Sequence, residues 1–565
     1  MERPWQERYD AGVPSEIEIP DVPFTAFFDR AVAEYPENVA TYFYGGRLTY
    51  RQLGRLSTRF ANGLIGLGVR PGDRVALHLP NCPQFVIAYF GAWKAGAVVT
   101  PVSPLLAPRE VAHQINDAGA ETLVTLPRFY PTVQEIRGDT SLRRVIVTPI
   151  KGYMGRAARW LYALFRERGE GDRTPVEAGD YRWMDLVRRA DARPPGVTVG
   201  PDDLALLQYT GGTTGIPKGA MLTHRNLVAN IMQAHAWIQP VLTTGQESIL
   251  SVLPFFHLYG IAACLHLGVL LASTMILLPR FDLEEVLGTI HRLRPTLFPG
   301  VPTMYVAVNH YPQLDRYDLS SLKFCLSGAA PLPLEVQQRF EQISGCRMVQ
   351  GYGMTEASPV THLTLLVGET PLRSTGLPVP GTEARIVDLE TGERTLPPGE
   401  EGEIVVRGPQ VMKGYWRMPT ETANALRGGW LYTGDIGYMD EQGFFYVVDR
   451  KKDVIISGGA KVFPRDVEEV LYAHPGVKEV AVVGVPDPYW GEVVKAYVVP
   501  RDGVTLEAEE IVQFCRERLA RYKVPKAVEL RGELPKTLVG KVLRRTLREE
   551  EARHATDHTH TEVER

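Results

Sequence analysis

From Gln208 to Gly219 the chain reads QYTGGTTGIPKG, with three threonines, four glycines and one lysine directly after the apolar run 204–207. An apolar run that ends in glycines reads as a buried strand entering a loop, and the composition of this loop suits a polyphosphate. Gly211, Gly212 and Gly215 let backbone N–H groups close on phosphate oxygens. Thr210, Thr213 and Thr214 add hydroxyl donors, and Lys218 adds a point charge. The loop is not a Walker A sequence, which needs Gly-Lys-Ser/Thr, because Pro217 precedes the lysine and Gly219 follows it.

Three later stretches repeat one pattern, a short apolar strand that ends in small residues and polar groups. They are SVLPFFHLYG from Ser251, LKFCLSGAAP from Leu322 and VQGYGMTE from Val349. In parallel α/β sheets the carboxyl ends of strands form the ligand crevice, so these ends are expected to converge with 210–218 on one site. His257 either borders a reacting group or is a satisfied core histidine, and the sequence leaves both open.

The elements that must hold these residues alternate. Helix-like 24–34, strand-like 40–44 and 48–50, a helix over 50–67 that stops at Gly68, strand 75–79, helix 82–95 and strand 98–101 argue for a parallel sheet covered on both faces. No Asp, Glu, Lys or Arg occurs over 249–279, yet Pro254, Gly260, Gly268, His257 and His266 interrupt that run. It therefore reads as strand, loop, buried helix and second strand rather than a membrane span, which needs about 20 continuous apolar residues.

At 565 residues the chain exceeds one core. A net charge of −4 gives no field for nucleic acid. Five widely spaced cysteines without a CxxC pair suggest free thiols in a reducing compartment, and the charged first twenty residues do not read as a signal peptide. A cytoplasmic protein is the expectation. Residues 151–173 carry six basic and three acidic residues, with Met154, Ala158, Leu161 and Phe165 at helical spacing. Such a helix can lie on an anionic membrane surface or pack on its own domain, and both remain open.

Beyond Pro371 the texture shifts to short alternating strands over 384–446, a small β-rich subdomain. The charged break 449–453 follows, and then 454–541 reads as a compact α+β unit with helices at 467–473 and 511–519 and strands at 480–485 and 493–499. The fold expected is α/β: a large N-terminal domain, 1–450, of parallel-rich subdomains plus the β-rich one, a small mobile α+β C-terminal domain, 451–548, and a solvated tail, 549–565.

Six motifs in order carry a resemblance to the acyl-CoA synthetases of the adenylate-forming superfamily. They are YTGGTTGIPKG from Tyr209, QGYGMTE from Gln350, GWLYTGD from Gly429, DRKKD from Asp449, SGGAKVFP from Ser457 and PKTLVGKVLRR from Pro535. The block from Gly429 to Lys452 is similar to the fatty-acyl-CoA synthetase signature. The resemblance implies a ligase of fatty acid and lipid metabolism that joins a fatty acid to AMP with pyrophosphate release and then to coenzyme A. ATP and CoA would be co-substrates and Mg²⁺ the cofactor.

Residue by residue, the resemblance puts Thr210 to Lys218, Gly328, Ala329, Ala330, Gln350, Gly351, Tyr352, Gly353 and Thr355 on the nucleotide, with the Tyr352 ring facing adenine and 328–330 close to its edge, and Glu356 on Mg²⁺. Asp435 would accept the ribose hydroxyls, Arg450 would supply charge, and Lys541 would reach the α-phosphate and the acyl carboxylate. Lys452 would be the hinge about which the small domain turns between half-reactions. Ser457, Gly458, Gly459 and Lys461 would line the CoA path, and Phe256, His257 and Tyr259 the acyl pocket. An aryl- or short-chain acid:CoA ligase shares every nucleotide residue. A nucleotide-dependent membrane adaptor would not need Lys541. Members of the family are often dimeric, so a homodimer is compatible with the resemblance, beside the peripheral membrane contact that 151–173 leaves open.

Overall fold

A computed structural model of the protein describes residues 3–210, 217–487, 489–501, 503–536, 542–551 and 553. The chain divides into two compact units, Met1–Glu383 with Val406–Leu431, and Ala384–Val405 with Tyr432–Arg565.

The first unit is built on two sheets of mostly parallel strands. One has nine strands. Its parallel centre runs Val39–Phe43, Thr274–Leu277, Ser248–Ser251, Leu297–Gly300, Phe324–Ser327 and Arg347–Gly353. Antiparallel strands close its ends, Gly46–Thr49 on one side and Val360–Leu363 on the other. The second sheet has eight strands, ordered Gly414–Tyr415, Lys218–Thr223, Leu204–Thr210, Val98–Pro101, Arg74–His78, Thr122–Thr125, Arg144–Val147 and Tyr181–Arg182. It is parallel from Leu204–Thr210 onward.

Helix Pro83–Lys94 is apolar all round, and a helix of that kind must be covered on every side. Each of its residues from Pro83 to Trp93 is buried. Trp93 Nε1 donates to Ala205 O at 2.8 Å on the second sheet, while Tyr89 Oη lies 2.9 Å from His266 Nε2 on the helical segment of the first. Helix Tyr50–Gly66 packs beside it. Its start is fixed by a capping box in which Gln52 N donates to Thr49 Oγ1 at 3.2 Å and Thr49 N to Gln52 Oε1 at 3.0 Å. The uncharged run folds as anticipated: strand Ser248–Ser251, a helical stretch whose π-helical part is Ile261–His266, and strand Thr274–Leu277.

In the second unit Gly402–Arg407, Trp430–Met439 and Phe445–Arg450 are neighbouring strands of one sheet. A hairpin, Ile455–Ser457 with Ala460–Val462, leads to helix Pro464–Tyr472. The long hairpin Val477–Asp487 with Gly491–Pro500, helix Ala508–Arg516 and strand Ala527–Leu530 complete the unit. Its core includes Val462, Val467, Leu471, Val482, Val498 and Ile511.

Three sequence expectations need correction. The helix expected across 151–173 is only Arg156–Phe165, preceded by the 3-10 turn Ile150–Tyr153, because glycines at 152, 155, 169 and 171 break the periodic run. The charged break 449–453 is partly buried. Asp449 lies within strand Phe445–Arg450 at 5% exposure and Asp453 is 8% exposed, since Arg544 and Arg548 neutralise them. Strand Ala527–Leu530 was not anticipated; its short run gains its form from parallel pairing with Gly491–Pro500. Among the described residues no helix is long and apolar enough to cross a membrane.

Candidate active site

The glycine-threonine loop closes a β-hairpin. Leu204–Thr210 pairs antiparallel with Lys218–Thr223, and Thr210 lies directly opposite Lys218. The two residues therefore flank the loop mouth. A Walker loop runs from strand into helix; this one returns into a strand. Gly211, Gly212, Thr213, Thr214 and Gly215 lie outside the described residues, as does Lys541.

A third strand, Gly414–Tyr415, adds to the hairpin with Tyr415 opposite Ala220. Its position decides the site's electrostatics. Lys218 Nζ sits 5.2 Å from the centre of the Tyr415 ring and is ion-paired with Glu421, carried by helix Pro419–Ala425. The Tyr415 hydroxyl donates to Glu356 Oε1 at 2.7 Å. Glu356 is 8% exposed and lies in the one-turn 3-10 segment Thr355–Ala357, and its carbonyl accepts from Met412 N at 2.8 Å. One tyrosine thus joins the expected phosphate lysine to the expected metal carboxylate. Neither Tyr415 nor Glu421 was singled out in the sequence, although the aromatic pair Tyr415-Trp416 following Gly414 was a readable signal of a short strand.

Ser251, Gly300, Ser327 and Gly353 end parallel strands of the nine-stranded sheet, so they share one edge. Gln208, from the other sheet, donates Nε2 to Phe256 O at 2.9 Å, which ties the hairpin of Leu204–Thr210 and Lys218–Thr223 to the FFHLY segment. Asn81 fixes the start of that segment. Its Nδ2 donates to Ser251 O at 2.9 Å and to Leu253 O at 2.8 Å, and its Oδ1 accepts from Phe255 N at 2.8 Å. Asn81 was also missed; a buried asparagine before a helix carries no distinctive sequence signal.

His257 caps the turn that follows, with Nδ1 accepting from Tyr259 N at 3.2 Å. That acceptor role places the proton of the neutral ring on Nε2. Tyr259 donates its hydroxyl between Gly300 O at 3.0 Å and Leu326 O at 2.8 Å, and burial raises its phenol well above the ordinary range. The Tyr259 ring lies under Gly328, where an added Cβ would come within 3.1 Å of it.

Beyond Gly328 the chain turns through Ala329 at φ +70, a conformation a non-glycine residue holds only when its surroundings impose it. Ala329 and Ala330 are exposed. Gly351 and Tyr352 pair with Leu363 and His362, and the Tyr352 ring centre is 5.5 Å from that of His362. At Gly353 a Cβ would meet Pro359 O at 1.9 Å, so only glycine fits. The Gln350 side chain is held by Gln337 Oε1 at 3.1 Å, and Thr355 is half-buried.

The remaining candidates belong to the second unit. Asp435 and Arg450 are opposite each other on adjacent antiparallel strands, and Arg450 Nε is 2.6 Å from Asp435 Oδ1. Asp435 is 3% exposed. Gly434, at φ +71, donates its N–H to Glu403 Oε1 at 3.1 Å, and the same carboxylate holds Lys451 at 2.9 Å. Lys452 follows at the surface. The crowding of its ammonium, burial first and the Arg450 guanidinium next, pushes it down to about 8.

Around this segment Arg544 reaches Glu468 at 2.6 Å and Asp449 and Asp453 at 3.4 Å each, while Arg548 reaches Asp453 at 2.8 Å. Ser457 and Ala460 pair across a two-residue turn of Gly458 and Gly459, at φ +58 and +82. Both positions need positive φ, which selects glycine. Gly458 is covered by the Trp490 ring, 2.5 Å from where its Cβ would be, and Lys461 is exposed.

Comparison with known proteins accords with this geometry. A family model described as "AMP-binding enzyme" matches residues 28–416, and one described as "AMP-binding enzyme C-terminal domain" matches 466–541. The chain is 45% identical over 552 residues to a long-chain-fatty-acid--CoA ligase of Bacillus subtilis (strain 168), covering 97% of this chain and 98% of that protein. It is 41% identical to a feruloyl-CoA synthase of Amycolatopsis sp, covering 91% and 96%. The crystal structure of the anthranilate CoA ligase AuaEII in complex with anthranoyl-AMP superposes with a TM-score of 0.82 at 28% identity, covering 96% of this chain and 99% of that one.

These matches and the α/β architecture define the class as the adenylate-forming acid:CoA ligases, which make an acyl-adenylate and then a thioester. The chain belongs to the AMP-binding enzyme family and is an enzyme of that class.

Proposed function

We propose that the protein activates a long-chain fatty acid, using ATP and CoA, and that the residues singled out above carry the two half-reactions. The observation that carries the site assignment is the single ring of Tyr415, against which the phosphate-loop lysine lies and whose hydroxyl holds Glu356. The acyl class is supported by the near-full-length likeness to the Bacillus subtilis ligase.

A carboxylate is a poor acyl donor because its leaving group would be oxide. In the first step its oxygen forms a bond to the α-phosphorus, the bond to the β-phosphate bridging oxygen breaks, and the electron pair leaves with pyrophosphate. Catalysis of such a step is positioning and charge stabilisation. Thr210, the loop that follows and Lys218 hold the β- and γ-phosphates, and Thr355 contacts phosphate. When triphosphate arrives, Lys218 exchanges its Glu421 partner for phosphate oxygens. Tyr352 and the strand end at Gly328, Ala329 and Ala330 receive adenine, Asp435 accepts the ribose hydroxyls, Arg450 supplies charge, and Lys541 bridges α-phosphate and carboxylate.

The donor set fits magnesium. Among the described residues no group of three or more His, Cys, Asp or Glu could hold a metal alone. Mg²⁺ normally takes one or two carboxylates and completes its shell with phosphate oxygens and water, so the buried Glu356 beside a phosphate loop is a fitting ligand. Bound there, the ion would offset negative charge on the triphosphate.

In the second step the CoA sulfur forms the thioester bond and AMP leaves with the electron pair. The reading places the boundary between a large and a mobile small domain at 450/451, with Lys452 as hinge and 549–565 as tail. Ser457, Gly458, Gly459 and Lys461 are the thiol path, and Phe256, His257 and Tyr259 border the acyl group. A homodimer, a cytoplasmic location and peripheral membrane contact through 151–173 complete the proposal.

The feruloyl-CoA synthase relative favours an aryl acid as the second reading. Pyrophosphate release across a series of acids tests both. Highest kcat/KM on long saturated chains is expected, and preference for hydroxycinnamates would overturn the acyl assignment while leaving adenylation intact.

A further inference from the structure

Helix Pro108–Ala118 carries a carboxylate at the wrong end. Asp117 stands in its last turn, two residues before the left-handed Gly119 at φ +64, where the helix dipole disfavours negative charge. Local rules are broken most often at functional or strained sites. Two arginines bind the carbonyls around it. Arg74 Nε donates to Ala118 O and its Nη2 to Gly119 O, each at 2.8 Å, and Arg417 Nη1 donates to Asp117 O at 3.2 Å. Arg417 is itself held at φ +56, a conformation that a non-glycine residue keeps only under constraint. Trp416 Nε1 gives the same Asp117 carbonyl a second donor at 2.9 Å. The helix end is fixed from three side chains.

The carboxylate so held is aimed at the hairpin that carries Lys218. Its Oδ2 accepts from the Tyr209 hydroxyl at 2.5 Å. Tyr209 is the residue before Thr210, and it pairs across the hairpin with Gly219, the residue after Lys218. Its ring lies against that glycine, where an added Cβ would stand 3.1 Å from Cζ. Gly219 O in turn accepts from the N–H of Trp416, the neighbour of Tyr415, at 2.8 Å. One phenol thus touches both strands of the hairpin a single residue from the loop mouth, and Asp117 decides where it lies. Burial first, and the hydrogen bond to Asp117 next, holds that phenol above its ordinary range. It therefore stays a donor at neutral pH.

We propose that Asp117 is a positioning residue for adenylation, which acts through Tyr209 to keep Thr210 and Lys218 at the separation that receives the β- and γ-phosphates. The inference rests on the reading above that ATP binds at those two residues. Bonds are exchanged at the α-phosphorus in the first step, and a grip on the outer phosphates is made already in the bound ground state. Such an interaction is close to uniform binding, so the larger effect falls on KM for ATP and not on kcat. Once pyrophosphate has left, the acyl-adenylate carries neither phosphate. Thioester formation should then be independent of Asp117.

The test is ATP–pyrophosphate exchange with a long-chain fatty acid, run on the full chain as wild type, Tyr209→Phe, Asp117→Ala, Asp117→Asn and Asp117→Ala/Tyr209→Phe. Loss of this hydrogen bond in Tyr209→Phe or Asp117→Ala should raise KM for ATP about 10-fold. In the same variants kcat, KM for the fatty acid and thioester formation from supplied acyl-adenylate should change less than ~2-fold. The double variant should be no worse than either single one, since both remove the same bond. Asp117→Asn keeps an oxygen acceptor and should recover most of the loss. Tyr209→Phe keeps the ring on Gly219, so its melting temperature should stay near the wild-type value, and it carries the test should Asp117→Ala not fold. A wild-type KM for ATP in Tyr209→Phe, or losses that add in the double variant, overturn the proposal. So does a loss spread equally over ATP, fatty acid and thioester formation, which marks a purely structural contact. Absence of acid-dependent exchange in the wild type would instead overturn the ATP reading, and this inference with it.

Discussion

Tyr415 donates its hydroxyl to Glu356 Oε1 at 2.7 Å while the Lys218 ammonium stands 5.2 Å from the centre of its ring. The tyrosine comes from a two-residue strand added to the outer edge of the hairpin that carries Lys218. Its backbone fixes the hairpin, its ring faces the lysine and its hydroxyl orients the carboxylate.

Tyr415→Phe keeps the ring and removes only the last of these. A hydrogen bond to a charged group contributes about 1.5–3 kcal/mol, so kcat/KM for ATP in the adenylation half-reaction should fall about 10- to 100-fold. ATP–pyrophosphate exchange measures it. Acyl transfer from supplied acyl-adenylate should change little, and an unaltered exchange rate would remove Tyr415 from the site.

Lys541→Ala should abolish acyl-adenylate formation while thioester formation from supplied acyl-adenylate survives. The two half-reactions are followed separately as pyrophosphate release and CoA consumption. Equal loss of both would contradict the division of labour.

Lys452→Pro should impair thioester formation far more than adenylation, since proline fixes φ at the proposed hinge. Arg544→Gln is the companion variant. It leaves Glu468 and Asp449 without the cation they share, while Arg548 still pairs with Asp453, and breaking a buried pair typically costs about 3–5 kcal/mol. Chemical denaturation should show the second unit unfolding at lower denaturant in Arg544→Gln. Wild-type half-reaction ratios in Lys452→Pro would place the hinge elsewhere.

Acid should weaken the fold through buried histidines. Burial pushes His78 and His224 down to about 4 and His266 and His362 down to about 3, against about 6.5 in an unfolded chain. Below pH ~6.5 the unfolded state binds more protons, so stability rises with pH there. The contribution is complete above pH ~6.5 and is lost as pH falls through about 4 and about 3. Melting temperature across pH 7 to 4 measures this, and His266→Gln should flatten the slope. A melting temperature independent of pH in that range would show that these rings are not held neutral.

Much of the fold was legible because its strands are short apolar runs bounded by glycine and proline. Val98–Pro101 falls where the pattern puts it, and the uncharged 249–279 resolves into strand, helix and strand. The strand ends with small residues were legible for the same reason, Phe324–Ser327 and Arg347–Gly353 ending where the pattern puts them. The partners were not. Tyr415 lies 59 residues from Glu356 and Asn81 lies 174 from Phe255, and one sequence carries no signal of pairing at that range. The burial of Asp449 and Asp453 was not legible because their neutralising arginines lie nearly a hundred residues away, Arg544 being 95 from Asp449.

The most direct measurement supplies purified protein with ATP, Mg²⁺ and a long-chain fatty acid, first without and then with CoA, and quantifies pyrophosphate, AMP and thioester. The account predicts acid-dependent pyrophosphate release and bound acyl-adenylate without CoA, then AMP and acyl-CoA in equal amounts once CoA is added. Release of ADP and phosphate, or no acid-dependent pyrophosphate across long-chain, short-chain and aryl acids, would contradict it.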